Sequence, residues 1–307
     1  MSGATPAGLA GRRVLVTGGA GFIGRHVVAA LTAAGASPRV LDLRPHPDPL
    51  VDAVQGDLAD PDVVAAGLAG GVAAVVHLAA VTSVLRSIEQ PEETFRTNVE
   101  GTHQLLEGAR QAGVRSLAFA STNAVAGPML ESAISERSVP APLTPYGATK
   151  AAAEMLMSAS TAVYGIRCTA LRLTNVYGLG MQAKDSIVAR LMRAIGQGTG
   201  FEIYGDGTQV RDYVNAGDVV AAFLRALSDE RWSGPVVIGS GRSLSVLQVV
   251  QAVREITGAT LEVRHGPAKA GEMPAVIVDP SRARAAGWDA EVSFEAGLAA
   301  VWDEWRR

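Results

Sequence analysis

The stretch TGGAGFIG, Thr17 to Gly24, stands between the apolar run RRVLV (12–16) and the amphipathic run RHVVAALTAAG (25–35). Gly18, Gly21 and Gly24 recur at a spacing of three. A strand that turns at once into a helix needs backbone freedom at the turn. The helix start then offers free N–H groups and the positive end of its dipole to an anion. A Cβ at Gly18 or Gly21 would obstruct a pyrophosphate, and Gly24 allows the helix to lie close on the strand. Phe22 and Ile23 open the helix within this loop.

The pattern continues outward. β-rich runs fall at 13–18, 38–43, 73–80, 116–122 and 167–173. Alanine-rich stretches with helical spacing separate them, at 24–34, 61–69, 92–112 and 145–164. This alternation predicts an α/β fold, a Rossmann-type doubly wound parallel sheet with helices on both faces. The strand after the glycine loop and its helix ends in Asp42, where a carboxylate binds the ribose hydroxyls of NAD and repels the extra phosphate of NADP. Arg44 lies two residues on and softens that preference. Beyond about residue 175 the loops lengthen. The segment SLSVLQVVQAVREITG followed by LEVRH reads as helix then strand. A smaller C-terminal substrate-binding lobe is expected. The expected division is 11–174 for the dinucleotide domain, with a return segment at about 213–238, and 175–212 with 239–307 for the lobe.

Composition narrows the function classes. The 307 residues are 48% hydrophobic and 19% charged, with a formal net charge of -3. No basic excess supports nucleic-acid binding. Cys168 is the single cysteine and reads as a core residue. The longest apolar run, Val72 to Val81, is too short to span a bilayer and contains His77. The first ten residues carry no signal-peptide pattern. A cytoplasmic protein without metal ligands or membrane contact is expected.

In TPYGATKAAAEMLM, Tyr146 and Lys150 are four apart and share a helix face. A nearby ammonium favours the phenolate of a tyrosine that otherwise titrates near 10. FASTNAVAG ends a predicted strand with Ser121 and Thr122 at the C-terminal edge of the sheet, where ligands bind in open α/β folds. Thr122 can equally cap a turn.

These segments together resemble the extended short-chain dehydrogenase/reductases, in the NAD-dependent epimerase/dehydratase family that acts on nucleotide sugars. The resemblance runs from about Arg13 to Trp288. It rests on TGGAGFIG, GDL (56–58), HLAA (77–80), NVEGT (98–102), Ser121–Thr122, YGATK, LRLTNVYGLG and VRDYV. It implies bound NAD, with Asp57 and Leu58 beside the adenine and Leu78, Ala79, Ala80, Ser121 and Leu173 along the cofactor cleft. Asn98 would steady the active-site backbone, and His77 would be structural. Thr122, Tyr146 and Lys150 would form the catalytic trio, with Asn123 beside the sugar. Asn175 and Arg211 would grip the substrate diphosphate, with Lys269 where the family usually has arginine. Glu202 and Tyr204 would flank the nucleotide base. Val276 would stand at a gate position near the sugar. An ion pair of Arg211 with Asp206 or Asp212 is the bland reading of that arginine.

The implied reaction is epimerisation at C4 of a nucleotide-diphosphate sugar, with a UDP-hexose expected. Asn123 and Ala124 stand where dehydratases of this family carry an acid and a base, which argues against 4,6-dehydration. Gln182 lies near the arginine expected for a uronate substrate, and Lys184 is a possible substitute. Ala126 replaces an aromatic residue near the sugar. A 4-ketosugar reductase, or a UDP-glucuronate epimerase or decarboxylase, stays open as an alternative. The resemblance also implies a homodimer in which helices at about 92–112 and 145–164 form a four-helix bundle.

Overall fold

The computed structural model describes residues 8–129, 132–267 and 275–307. The chain separates into two compact units: residues 1–127, 138–173 and 220–237 form the first, and residues 128–137, 174–219 and 238–307 the second.

The elements of the N-terminal part are β1 (Arg13–Thr17), α1 (Phe22–Ala33), β2 (Ser37–Asp42), β3 (Asp52–Gln55), α2 (Pro61–Leu68), β4 (Val72–His77), α3 (Val84–Glu89), α4 (Pro91–Phe95), α5 (Gly101–Gln111), β5 (Ser116–Thr122), α6 (Pro145–Tyr164) and β6 (Arg167–Leu173). They are followed by β7 (Asn175–Tyr177), α7 (Ile187–Gln197), β8 (Phe201–Tyr204), β9 (Val210–Asn215), α8 (Ala216–Ser228), β10 (Gly234–Ile238), β11 (Ser243–Ser245), α9 (Val246–Thr257), β12 (Val263–Gly266), β13 (Ala275–Val276), α10 (Ser281–Ala285) and α11 (Phe294–Trp305).

The first unit is built on a seven-stranded sheet in the order β10-β6-β5-β4-β1-β2-β3. Its pairs from β3 to β6 are all parallel. The order reverses direction at β1/β4, the switch point at which such sheets bind ligands. Leu15, Leu41, Val75, Leu117 and Phe119 from the strands pack with Leu105, Ala153 and Met157 from helices in one buried cluster. The near-continuous apolar strands are explained by this covering of the sheet.

Local chemistry sets the helix bounds. Thr144 caps α6 by accepting from Gly147 N, and Pro145 occupies the first turn. Gly165 at φ 72° ends it in the left-handed conformation. Strand β3 was not foreseen. It is a short edge strand with largely exposed residues and no apolar alternation to announce it. The helix expected over 92–112 is interrupted. Between α4 and α5, residues Arg96–Glu100 form a π-helical turn centred on Asn98. Such turns commonly mark functional positions.

In the second unit, β9 pairs with β11, β13 and β7, and β8 pairs with β12 in parallel. Ser245 and Gln248 form a reciprocal capping box at the start of α9, and Gly258 closes it. Asp212 on β9 is fully buried. It accepts hydrogen bonds from Thr174 Oγ1, Ser240 N, Ser240 Oγ and Arg242 N at 2.9–3.0 Å. Burial pushes its carboxyl above the usual range, and these bonds oppose that rise.

Candidate functional site

Gly18 and Gly24 of the glycine loop are sterically closed to side chains. Gly18 has φ +71°, and a Cβ there would lie 2.6 Å from Ala79 N. A Cβ at Gly24 would run into the carbonyl oxygen of Gly18. Gly21 is the N-cap of α1, without a side-chain cap and without an acid in the first turn. No side chain of α1 therefore competes for the N–H groups that Phe22 and Ile23 present. Asp42 ends β2 and is buried, with its two oxygens accepting from Ala20 N and Arg44 N at 3.0 Å. A backbone cradle, an open helix N-terminus and a fixed carboxylate fit a dinucleotide with free ribose hydroxyls.

Beyond β3, Asp57 accepts from Ala59 N at 3.0 Å and pairs with Arg96, while Leu58 is buried. Leu78, Ala79 and Ala80 follow β4 and stay half-buried. Leu78 N donates to Thr17 O at 3.0 Å, and Ala79 N to Thr17 Oγ1 at 3.3 Å. Thr17 Oγ1 lies 2.7 Å from His77 Nδ1, and His77 Nε2 lies 2.9 Å from Thr102 Oγ1. Thr102 donates its proton to Asn98 O at 2.6 Å. The hydroxyl of Thr102 is thus an acceptor toward the ring, which places the His77 proton on Nε2. His77 is a buried neutral link, its pKa lowered to about 3 by burial and by the charge of Lys150. Among the described residues no group of three or more His, Cys, Asp or Glu side chains converges for a metal.

Asn98 is 1% exposed. Its amide donates to Val81 O and Thr149 Oγ1 at 3.0 Å and accepts from Val81 N at 2.8 Å. The π turn places this side chain between the loop after β4 and helix α6.

The expected trio lies within the first unit. Thr122 ends β5, is buried, and accepts from Ala124 N at 3.2 Å as cap of the turn Asn123–Val125. Capping and catalysis are therefore compatible for this hydroxyl. The Thr122 hydroxyl acts on the phenol of Tyr146, in the first turn of α6, and favours its ionised form. Lys150, one turn on, donates to Ala120 O at 2.9 Å and lies 6.0 Å from the Tyr146 ring centroid. The lowered phenol expected from the sequence is not found in the protein alone. Burial pushes Tyr146 up to about 12, and only the influence of the Thr122 hydroxyl opposes it. Lys150 does not reverse this, because burial lowers its own pKa to about 7. Ser121, expected along the cofactor, donates to Glu154 Oε1 at 2.5 Å. Leu173 is buried at the end of β6.

The second unit contains a cavity of about 310 Å³ lined by Asn175, Ser186, Arg190, Glu202, Tyr204 and Arg211, among others. Four residues expected to hold substrate are thus brought together by strands β7, β8 and β9. Asn175 donates to Asp212 O at 2.9 Å, and Arg211 to Val210 O at 2.8 Å. Asp206 accepts from Thr208, and Asp212 from the four groups above. Val276 is buried in register with Arg211 but does not line this cavity. Lys269 lies outside the described residues. Arg190 was not foreseen. Its guanidinium lies 5.2 Å from the Phe201 ring and 5.8 Å from the Tyr204 ring. Its only sequence signal was a charge in the helix before FEIYGDG. Glu154 and Arg172 carry no motif of their own in the sequence, although Glu154 is four residues beyond Lys150.

The UDP-glucose 4-epimerase of Lacticaseibacillus casei is 34% identical over 300 residues, spanning 90% of this chain and 91% of that protein. The Thermus thermophilus UDP-glucose 4-epimerase, solved with NAD, superposes with a TM-score of 0.90 at 36% identity, over 96% of this chain and 99% of that one. MoeE5 in complex with UDP-glucuronic acid and NAD also gives 0.90, at 38% identity with the same coverage. The profile of the NAD dependent epimerase/dehydratase family matches residues 14–239. With the glycine cradle, Asp42 and the Thr122–Tyr146–Lys150 cluster in place, the chain belongs to that family.

Proposed function

We propose that this protein is a nucleotide-sugar 4-epimerase that works with tightly held NAD on a UDP-hexose, through a transient 4-keto sugar. The observation that carries this reading is Tyr146 with the Lys150 ammonium one helical turn on and 6.0 Å from its ring centroid, beside a loop shaped for a dinucleotide. The UDP-glucose 4-epimerases among its relatives support it.

The cofactor, seated by Gly18, Gly21, Gly24 and Asp42, supplies the reversible two-electron chemistry at C4. The chain supplies the proton chemistry and the positioning. Tyr146 takes the proton of the sugar 4-hydroxyl and returns it when the ketone is reduced from its other face. Thr122, whose hydroxyl favours the ionised phenol, is assigned to share that proton. A phenol near 12 needs positive charge to act as a base near neutral pH, and Lys150 is the protein's own source. Asn98 fixes the backbone at Val81. The cavity volume suits the nucleotide part of a substrate. Arg211 is assigned the diphosphate, Asn175 its second contact, and Tyr204 the base. Asn123 and Ala124 form a 3₁₀ turn without an acid or base for dehydration.

A UDP-uronate stays in the test set for one reason: the 38% identical MoeE5 is known with both UDP-glucuronic acid and UDP-glucose. A homodimer through α4, α5 and α6 is part of the proposal. It is supported by large apolar side chains that the single chain leaves exposed there, Phe95 on α4 at 50% and Met155 on α6 at 62%. No helix among the described residues is long and apolar enough to cross a membrane, and we assign the protein to the cytoplasm.

The test starts from protein purified without added cofactor. Denaturation should release NAD. Fresh enzyme should interconvert one C4 pair among UDP-glucose/UDP-galactose, their 2-acetamido forms and the UDP-uronates. Absence of retained cofactor, together with turnover of a 4-keto sugar only on adding NADH or NADPH, would replace the epimerase by a reductase.

A further inference from the structure

Lys150 is 2% exposed, and its ammonium lies 4.5 Å from the Phe119 ring centroid. A cation in such surroundings is costly unless paired. Its hydrogen bond to Ala120 O brings no opposite charge. One turn further along α6 stands Glu154. Its carboxylate accepts from Arg172 Nη2 at 2.8 Å and Nε at 3.1 Å, and from Ser121 Oγ at 2.5 Å. The side chains of Arg172 and Glu154 are 3% and 10% exposed, so this is a buried, two-point ion pair. Ser121 and Arg172 are register partners on the parallel strands β5 and β6. Two consecutive residues of β5 therefore each dock one residue of α6: Ala120 holds Lys150 and Ser121 holds Glu154.

We propose that Glu154 is a positioning residue of the reaction centre: clamped by Arg172 and Ser121, its carboxylate fixes α6 on β5 and stabilises the positive charge of Lys150. The proposal rests on the assignment of Tyr146 and Lys150 as catalytic. Burial pulls Lys150 down to about 7, and the one charge that acts to raise it is Glu154. The other groups around Lys150 do not take that role. Tyr146 on α6 is held protonated by burial, and His77 on β4 is neutral. Ala120 and Phe119 on β5 carry no charge, and Arg172 on β6 is engaged with Glu154.

The experiment is a ¹³C NMR titration of the full-length holoenzyme labelled at lysine Cε, with Lys150 assigned from Lys150→Arg, alongside the pH profile of kcat/KM. In Glu154→Gln the Lys150 midpoint should fall by about one pH unit, as expected for loss of one close opposite charge. The alkaline limb of kcat/KM should move down with it, and Glu154→Asp should restore both. An unchanged Lys150 midpoint in folded Glu154→Gln overturns the proposal, even if kcat falls. Should that variant not fold because Arg172 is left unpaired, Arg172→Met and Glu154→Gln/Arg172→Met are compared, which differ only in the Glu154 charge. A lower midpoint in the double variant supports the proposal, and equal midpoints overturn it. If the wild-type protein turns over no nucleotide sugar, the epimerase reading fails while the titration still reads out the coupling to Glu154.

Discussion

The ammonium nitrogen of Lys150 lies 2.9 Å from the carbonyl oxygen of Ala120, and burial holds its pKa at about 7 rather than 10.5. The unfolded chain keeps this proton up to 10.5. Between those values it binds a proton that the folded state does not, so stability rises with pH there. The contribution is complete above 10.5 and lost as pH falls to about 7. Lys150→Met should remove that slope and raise stability near pH 6.5 by a few kcal/mol at most. It should also abolish turnover. Thermal unfolding at pH 6.5 and 9.5 in both proteins measures this.

Tyr146 has a narrower role. Its backbone N–H donates to Ser87 Oγ at 3.2 Å, a bond that phenylalanine keeps. Tyr146→Phe should therefore fold and retain NAD while kcat falls by about 10²–10⁴, the range for loss of a general base. Equal loss of retained cofactor would assign the phenol to binding instead.

The glycines give a contrast. A Cβ at Gly24 meets only backbone, the Gly18 carbonyl and Gly19 Cα at 2.7 Å, which cannot yield by a rotamer change. Gly24→Ala should lose retained NAD and melt at lower temperature. Gly113 has φ +73°, and a Cβ added there would meet nothing within 4 Å. Gly113→Ala should cost only about 1 kcal/mol of left-handed strain and keep its cofactor.

His77 predicts acid sensitivity. Its folded pKa of about 3 lies below the ordinary 6.5. As pH falls from 6.5 toward 3, the unfolded chain takes up a proton that the folded state refuses, and stability drops. By pH 4 the loss from this residue should be about 3 kcal/mol. Melting temperatures from pH 7 to 4 should fall less steeply in His77→Gln, from a lower starting value because the Thr17–Thr102 link is broken.

Arg211 tests the second unit's cavity. Arg211→Lys keeps the charge but loses the planar fork, and should raise KM about tenfold. Arg211→Leu should raise it about 100-fold, as for loss of a charge-assisted bond. kcat should change far less in both. Unaltered KM would remove the diphosphate from this residue.

What the sequence by itself determined is local and periodic. TGGAGFIG, the apolar strands and the Ala-rich helices announced the parallel sheet, because glycine placement and apolar repeats are dictated by backbone sterics and burial. The spacing of Tyr146 and Lys150 put them on one helix face for the same reason. Tertiary structure alone decided what is set by the field and the partners around a group. Tyr146 rises instead of falling because burial outweighs the influence of the Thr122 hydroxyl, and burial lowers Lys150 as well. Ser121 turns to Glu154 because β6 brings Arg172 beside it. Arg190 meets Tyr204 because α7 packs near β8. Strand β3 and the π turn at Asn98 depend on pairing and on hydrogen bonds to residues far along the chain. Desolvation and long-range pairing have no signature in a window of sequence, and so they appear only when the chain is folded.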